Sequence, residues 1–251
     1  MIPFFRRIRK KLADDNKPLK YLGYAIGEIV LVVIGILIAL SINNWNEDRK
    51  SKLMADEVYT NLLISLEQDA IEAQRITGLL TKSLETHKKL ILRESDSFAN
   101  EMNPHELDTL IGEILLGVWS FFPKTGVYDL ITSNNSLDLL QSNKIKSLLI
   151  NLYDFQYKRY ENVDAILDNK YHYHLAPVIR KKMGYVAGLY AESEFEKGMH
   201  VDPKLFKEHY AALVSESRDV YGVLYTSTNF LVQIEASIDE LTQLIKEELK
   251  N

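Results

Sequence analysis

The stretch YAIGEIVLVVIGILIALSINNWNE, residues 24–47, decides the fold of the N-terminal part of this 251-residue chain. Between Leu22 and Ile42 the only acidic or basic residue is Glu28. A helix of that length rises about 31 Å at about 1.5 Å per residue, which matches the hydrocarbon thickness of a bilayer. Aromatic residues that favour the membrane–water interface flank it, namely Tyr21, Tyr24 and Trp45. The sequence therefore predicts a transmembrane helix over residues 21–45.

The charges around this segment predict its orientation and its lipid contacts. Residues 1–20 carry seven lysine and arginine residues against two aspartates, although the whole chain has a net charge of −5. The positive-inside rule then places the N-terminus in the cytoplasm and residues 46–251 in the periplasm. Residues 1–20 form either a short interfacial helix or a disordered basic tail, and the inner-leaflet patch consists of Arg6, Arg7, Arg9, Lys10 and Lys11. The acidic remainder argues against nucleic acid as a partner.

A cleavable signal peptide is the alternative interpretation of the N-terminal segment. Ala39 and Ser41 form a small-residue pair of the kind that precedes a cleavage site. However, the apolar run is longer than the usual 7–15 residues or so of a signal peptide, and an acid interrupts it. Polar residues that favour helix also continue after Ser41 without a break. We therefore expect an anchor that is retained.

Glu28 is costly in lipid, and its neighbours on the helix indicate a use for it. At about 100° per residue, Gly35 and Ala39 each lie within about 20° of Glu28, and Tyr24 continues this stripe by one turn. Small residues permit close helix approach, and polar side chains in lipid seek partners. The stripe of Tyr24, Glu28, Gly35 and Ala39 is thus a candidate contact face with a second copy or another membrane protein. Proton or ion coupling through Glu28 and a snorkelling acid without a role remain the alternatives.

Residues 46–251 show helical periodicity with almost no support for strands. From Asn46 to about Leu92, apolar residues recur at helical spacing, namely Met54, Val58, Leu62, Leu66, Ala70, Ala73, Leu80, Leu84 and Ile91. Further helices are predicted after Asn103, from Ser142 to about Tyr173 with an end before Pro177, and after Asp202. The predicted fold is all-α: an N-terminal transmembrane helix that continues into a long extramembrane helical bundle. Its parts are a basic segment 1–20, the span 21–45 and a periplasmic domain 46–251.

The C-terminal helix carries a heptad pattern typical of coiled coils. The spacing alternates between four and three residues over Val220, Leu224, Ser227, Leu231, Ile234, Ile238, Leu241 and Ile245. Such a seam must be buried against other helices. Its partner is either the 46–92 helix of the same chain, packed antiparallel, or a second chain.

The sequence offers one candidate pocket and no catalytic motif. Tyr153, Tyr157, Tyr160, Tyr171 and His174 share one register of the middle helix, which predicts either bundle packing or an aromatic pocket. His172 and His174 are two residues apart, a spacing that suits no metal on one helix face, so no metal and no cofactor are expected. A phosphate-binding glycine loop and a nucleophile elbow are missing from the sequence, and we predict no enzymatic activity. With no cysteine, disulfides are excluded.

Two stretches together resemble a known family. MIPFFRRIRKKL, residues 1–12, and the stretch at 24–47 resemble the N-terminal signature of an uncharacterised Bacteroidota family of single-pass membrane proteins, catalogued as a domain of unknown function. YDLITSNNSLDLLQSNKIKSLLINLYDF, residues 128–155, is similar to the central helical segment of that family. The resemblance implies a Gram-negative inner membrane and a periplasmic body, and it implies no activity. The expected role is that of a membrane-anchored scaffold or sensor.

Overall fold

A computed structural model of the chain describes residues 18–93, 102–185 and 200–250, and these residues are helical with no strand. This confirms the all-α prediction. The α-helices are α1 (Pro18–Leu92), α2 (Pro104–Leu115), α3 (Gly126–Ser133), α4 (Asn143–Ile150), α5 (Lys158–Lys170) and α6 (Pro203–Glu248). Short 3₁₀ turns lie at Leu116–Val118 and Ser136–Leu139, and π-helical turns at Asn151–Tyr157, Tyr171–Leu175 and Val178–Lys182. The basic patch of Arg6, Arg7, Arg9, Lys10 and Lys11 lies outside the described residues.

The chain divides into two compact units at Asp56 and Glu57, and α1 contributes to both. In the first unit the apolar side chains between Leu22 and Ile42 are exposed, with Leu31 at 65%. Among the described residues, one helix is long and apolar enough to cross a membrane, and none of its most apolar 18-residue window is buried. The structure therefore contains the long apolar N-terminal helix that the sequence predicts.

In the second unit, α1 buries part of the predicted register together with positions that were not predicted. Leu62, Leu66, Ala73 and Leu80 are buried as predicted, whereas Met54, which belongs to the first unit, is 47% exposed. The buried positions alternate by three and four residues and include polar side chains. They are Tyr59, Leu62, Leu66, Asp69, Ala73, Ile76, Leu80, Ser83, His87 and Leu90. The predicted register was traced through apolar residues and so omitted Asp69, Ser83 and His87, which occupy core positions where each must find a hydrogen-bond partner.

The heptad seam of α6 is buried within the chain itself. All eight predicted seam residues, from Val220 to Ile245, are at most 1% exposed. Along the same helix Lys246 forms an ion pair with Glu67 at 2.8 Å, and the Tyr210 hydroxyl donates to the carbonyl of Leu90 at 3.1 Å. Residues near the end of α6 therefore contact an earlier part of α1, and residues near the start of α6 contact the end of α1. The two segments are antiparallel, as predicted for packing within one chain.

The middle helical segment runs further than predicted. Instead of ending before Pro177, it continues through π-helical turns to Lys182. In such turns an N–H donates to the carbonyl five residues back: that of Ala176 donates to Tyr171, and that of Met183 to Val178. Pro177 falls between the two turns, where the helix has already left the regular α-helical ladder that proline would interrupt.

Helix caps form where the sequence predicts them. Asn103 and Glu106 make a reciprocal capping box at the start of α2, with Pro104 at the first helical position. The Ser142 hydroxyl accepts from the N–H of Ile145, and the Asp202 carboxylate accepts from the N–H of Lys204. These side chains satisfy amide groups that a helix start leaves without an intrahelical partner.

Candidate functional site: an aromatic cavity with an acidic rim

Three of the predicted tyrosines, Tyr153, Tyr157 and Tyr160, form one wall of a cavity. The π-helical turn Asn151–Tyr157 and the start of α5 carry them, and each is at most 3% exposed. The Tyr153 and Tyr157 rings meet edge to face with centroids 5.0 Å apart. Offset and edge-to-face ring pairs of this kind add about 0.5–1.5 kcal/mol beyond burial.

The opposite wall comes from the loop between α2 and α3 and from α3 itself. The Tyr128 ring stacks on Tyr153, with centroids 4.3 Å apart and 7° between the planes. The Phe121 ring contacts Tyr157 and Tyr160 edge to face, with centroids 5.9 Å apart in both pairs. Five aromatic rings therefore pack around one cavity.

α1 holds this loop in place through its backbone. Both carboxylate oxygens of Asp69 accept from the N–H of Lys124, at 3.0 and 3.2 Å, and the Ser65 hydroxyl donates to the Lys124 carbonyl at 3.1 Å. The N–H of Phe121 donates to the Tyr160 hydroxyl at 3.2 Å. Because the backbone N–H and the backbone carbonyl of Lys124 both bond to α1, this loop is held against α1.

The tyrosine hydroxyls are neutral donors to carboxylates. Tyr157 donates to Asp69 at 3.0 Å, Tyr128 to Asp154 at 2.7 Å and Tyr160 to Asp164 at 3.1 Å. Burial, followed by the nearby carboxylates, raises the pKa of Tyr128 and Tyr157 above the usual value near 10. Burial raises the pKa of the Tyr160 hydroxyl as well, so the cavity wall carries no phenolate at neutral pH.

The cavity encloses about 420 Å³ and opens between carboxylates. Asp129, Asp154, Glu161 and Asp164 line it together with one lysine, Lys158, which pairs with Asp154 at 2.7 Å. The hydrogen bond from Lys158 lowers the pKa of Asp154, whereas burial raises the pKa of Asp164. A volume of this size falls within the range of about 300–1,000 Å³ that small-molecule sites occupy.

Tyr171, the fourth predicted tyrosine, belongs to a separate buried network. Its hydroxyl lies 2.8 Å from His87 Nε2 and 3.1 Å from the Ser83 hydroxyl. Burial lowers the pKa of His87 to about 4. The backbone of Gly117 passes so close that an added Cβ would lie 1.9 Å from the Tyr171 hydroxyl. This network joins α1, the end of α2 and the middle helical segment.

His174 does not join either aromatic group, which corrects the sequence-based expectation. Its side chain is exposed, and Leu175 takes the buried position instead. In an α-helix a residue three positions after Tyr171 would share its face. The π-helical turn Tyr171–Leu175 has more residues per turn and moves the buried face on by one position. Among the described residues, no three histidine, aspartate or glutamate side chains are grouped to hold a metal ion.

Several cavity residues were not predicted from the sequence. Phe121 and Tyr128 come from a segment that carries no long periodicity, and their contacts with the middle helix could not be read from spacing. A signal for Asp69 did exist: it continues the alternating register of Leu62, Leu66 and Ala73. A carboxylate in such a register is a candidate for a specific buried bond.

The predicted membrane stripe lies in the first unit. Gly35 and Ala39 are exposed and Glu28 is partly exposed, while the Tyr24 side chain lies outside the described residues. A Cβ added to Gly35 would meet no heavy atom within 4 Å. This face of the helix therefore has room for a neighbouring helix.

Comparison with known proteins identifies a family whose function is unknown. No curated protein and no solved structure matches the chain. A family model matches residues 28–177, which include most of the apolar segment, the rest of α1, and both walls of the aromatic cavity. Because this match covers more than half of the sequence, the chain belongs to DUF6090, a family of unknown function.

Proposed function

We propose that the protein is a single-pass membrane-anchored scaffold or sensor, with its N-terminus in the cytoplasm and its helical body in the periplasm. The observation that carries this proposal is the exposed apolar row of α1 between Leu22 and Ile42. A soluble monomer rarely exposes a continuous apolar surface of this size. Lipid would cover it at a gain of about 25 cal/mol for each Å² removed from water.

Membrane fractionation and intact mass of the native protein test the anchor. We expect the protein to stay with membranes after an alkaline carbonate wash, to leave them only in detergent, and to retain residues 1–41. A mature chain that begins after Ser41, or a protein that is soluble without detergent, would contradict the proposal. The mass measurement separates a retained anchor from a cleaved signal peptide, which fractionation alone does not.

We propose that the stripe of Tyr24, Glu28, Gly35 and Ala39 mediates self-association or association with another membrane protein. Support comes from the room around Gly35 and from an acid whose burial in lipid favours a hydrogen-bonded partner. We expect Glu28→Gln and Gly35→Leu to reduce oligomer size in detergent, measured by size-exclusion chromatography with light scattering. Gly27→Leu is the matched control, because Gly27 lies about 100° from Glu28 around the helix and is equally open. Unchanged association in both stripe variants would contradict this contact face.

A second candidate function is ion or proton coupling in a membrane complex. The observation that favours it is Glu28, the single acidic or basic residue within the 21 residues from Leu22 to Ile42. Proton flux into liposomes that contain the purified protein would be lower for Glu28→Gln than for the original chain. Equal flux would remove this candidate and leave the scaffold or sensor role.

A further inference from the structure

The aromatic cavity has walls that attract positive charge. The Tyr128, Tyr153 and Tyr157 rings line it and are each at most 5% exposed, and the Tyr128 and Tyr153 rings stack on each other. Another ring, Phe122, also lines the cavity yet is 78% exposed, so it lies near the opening. Aromatic faces attract organic cations by electrostatics, and clusters of such faces form the known cages for alkylated ammonium groups.

The charged groups at the cavity strengthen that preference. Four carboxylates and one lysine are among its described lining residues, which leaves three net negative charges when all ionise. Of these, Asp129 and Glu161 are exposed, whereas Asp154 is already paired with Lys158. A site of this charge disfavours anions such as phosphate or a carboxylate ligand, and it raises the local concentration of cations.

The aromatic wall also carries a buried polar atom. The Tyr153 hydroxyl is buried, and no group among the described residues lies at normal hydrogen-bond distance and angle from it. The nearby Ser65 hydroxyl donates its proton to the carbonyl of Lys124. A buried hydroxyl that lacks a partner favours a ligand that brings a hydroxyl or an N–H to it.

We propose that the cavity binds a small organic cation, an alkylammonium compound that carries a short polar group. The ammonium group would lie against the aromatic rings with the Asp129 and Glu161 carboxylates nearby, and the polar group would reach the Tyr153 hydroxyl. This proposal deepens the sensing role proposed above and rests on it. It names the class of compound that the extramembrane body detects.

Two isosteric probes test the role of charge. Choline and its uncharged analogue 3,3-dimethylbutan-1-ol have nearly the same shape and both carry a hydroxyl group. The full-length protein in a maltoside detergent, which contains no ammonium group, would be titrated with each probe by isothermal calorimetry. We expect choline to bind about tenfold or more tightly than the uncharged analogue, because only choline gains from the π faces and carboxylates. Equal affinity, or no choline binding at millimolar concentration, would overturn the proposal.

Variants that keep the fold locate the site. Asp129→Asn combined with Glu161→Gln removes two exposed charges without changing side-chain shape, and we expect choline affinity to fall about fivefold to tenfold. Phe122→Ala, at a position already 78% exposed, should weaken choline binding about fivefold without a change in thermal stability. The control Asp239→Asn with Glu247→Gln makes the same change in charge at exposed positions outside the cavity. Equal loss in the control and the cavity variants would show that choline responds to net charge alone and would refute the cavity as its site.

Light scattering on the same samples separates this inference from the sensing role. Charge-selective choline binding at the cavity without any change in oligomer size or partner binding would support the ligand class and count against sensing. Binding of the uncharged analogue with a change in oligomer size would overturn the ligand class and leave the sensing role standing.

Discussion

Buried His87 should lower the stability of the folded helical body as the pH falls from 7.5 to 5. Its pKa is lowered to about 4 by burial, and its Nδ1 has no hydrogen-bond partner among the described residues. In the unfolded chain the same imidazole has a pKa of about 6.5. Between these values the unfolded chain binds a proton that the folded chain does not, so acidification favours unfolding.

The magnitude follows from the two pKa values. The full gap between about 6.5 and about 4 corresponds to about 3 kcal/mol, present above pH 6.5 and lost as the pH falls toward 4. At pH 5 the loss amounts to about 2 kcal/mol. Burial raises the pKa of Asp69 and Asp164, whose protonation acts in the opposite direction and favours the folded chain. The total pH dependence therefore combines several groups, and the contribution of His87 must be read as a difference.

Urea unfolding of the full-length chain in a nonionic detergent, followed by near-ultraviolet circular dichroism of the buried tyrosines, measures this difference. We expect the unfolding free energy of the original chain minus that of His87→Gln to shrink by about 2 kcal/mol between pH 7.5 and pH 5. His105→Gln is the matched control, because His105 is exposed, and its difference should stay constant. A difference for His87→Gln that does not change with pH would refute the assignment of a neutral buried imidazole.

Three further stability predictions concern side chains with defined partners. Gly117→Ala should lower the unfolding free energy by about 3 kcal/mol, because the added Cβ would lie 1.9 Å from the Tyr171 hydroxyl and displace that hydroxyl from its hydrogen bonds. Gly126→Ala is the control and should have little effect, because no heavy atom lies within 4 Å of the added Cβ. Similar melting temperatures for the two would contradict this. Asp69→Ala should cost about 3 kcal/mol in urea unfolding, since it leaves a loop N–H and a tyrosine hydroxyl without their acceptor; a loss below about 1 kcal/mol would be inconsistent with that bonding. Asn103→Ala should cost about 1 kcal/mol through the lost cap, and no measurable change would argue against the capping box.

Local features of the fold were predictable from the sequence because they depend on neighbours within one or two helical turns. The end of α1 at Leu92, the capping box at Asn103 and the start of α6 after Asp202 follow from propensity and caps. The seam from Val220 to Ile245 follows from a repeat along a single helix. The predicted wall of Tyr153, Tyr157 and Tyr160 also follows from spacing on one helical segment.

The tertiary structure decided which core positions hold polar side chains and which residues pack against the tyrosines of the middle helix. Asp69 is a core residue only because Tyr157, 88 positions further along the chain, and the Lys124 amide supply its hydrogen bonds.

The sequence by itself determined the helices, their caps and the apolar N-terminal segment, since those depend on local spacing and hydrophobicity. The tertiary structure decided which polar side chains α1 buries, the passage of the helix through Pro177 and the exclusion of His174 from the aromatic cluster. It also placed Phe121 and Tyr128 against the middle helix, which closes the cavity. The physical reason is that a buried polar atom is stable only when distant segments provide its hydrogen-bond partners, and spacing within one helix carries no information about those segments.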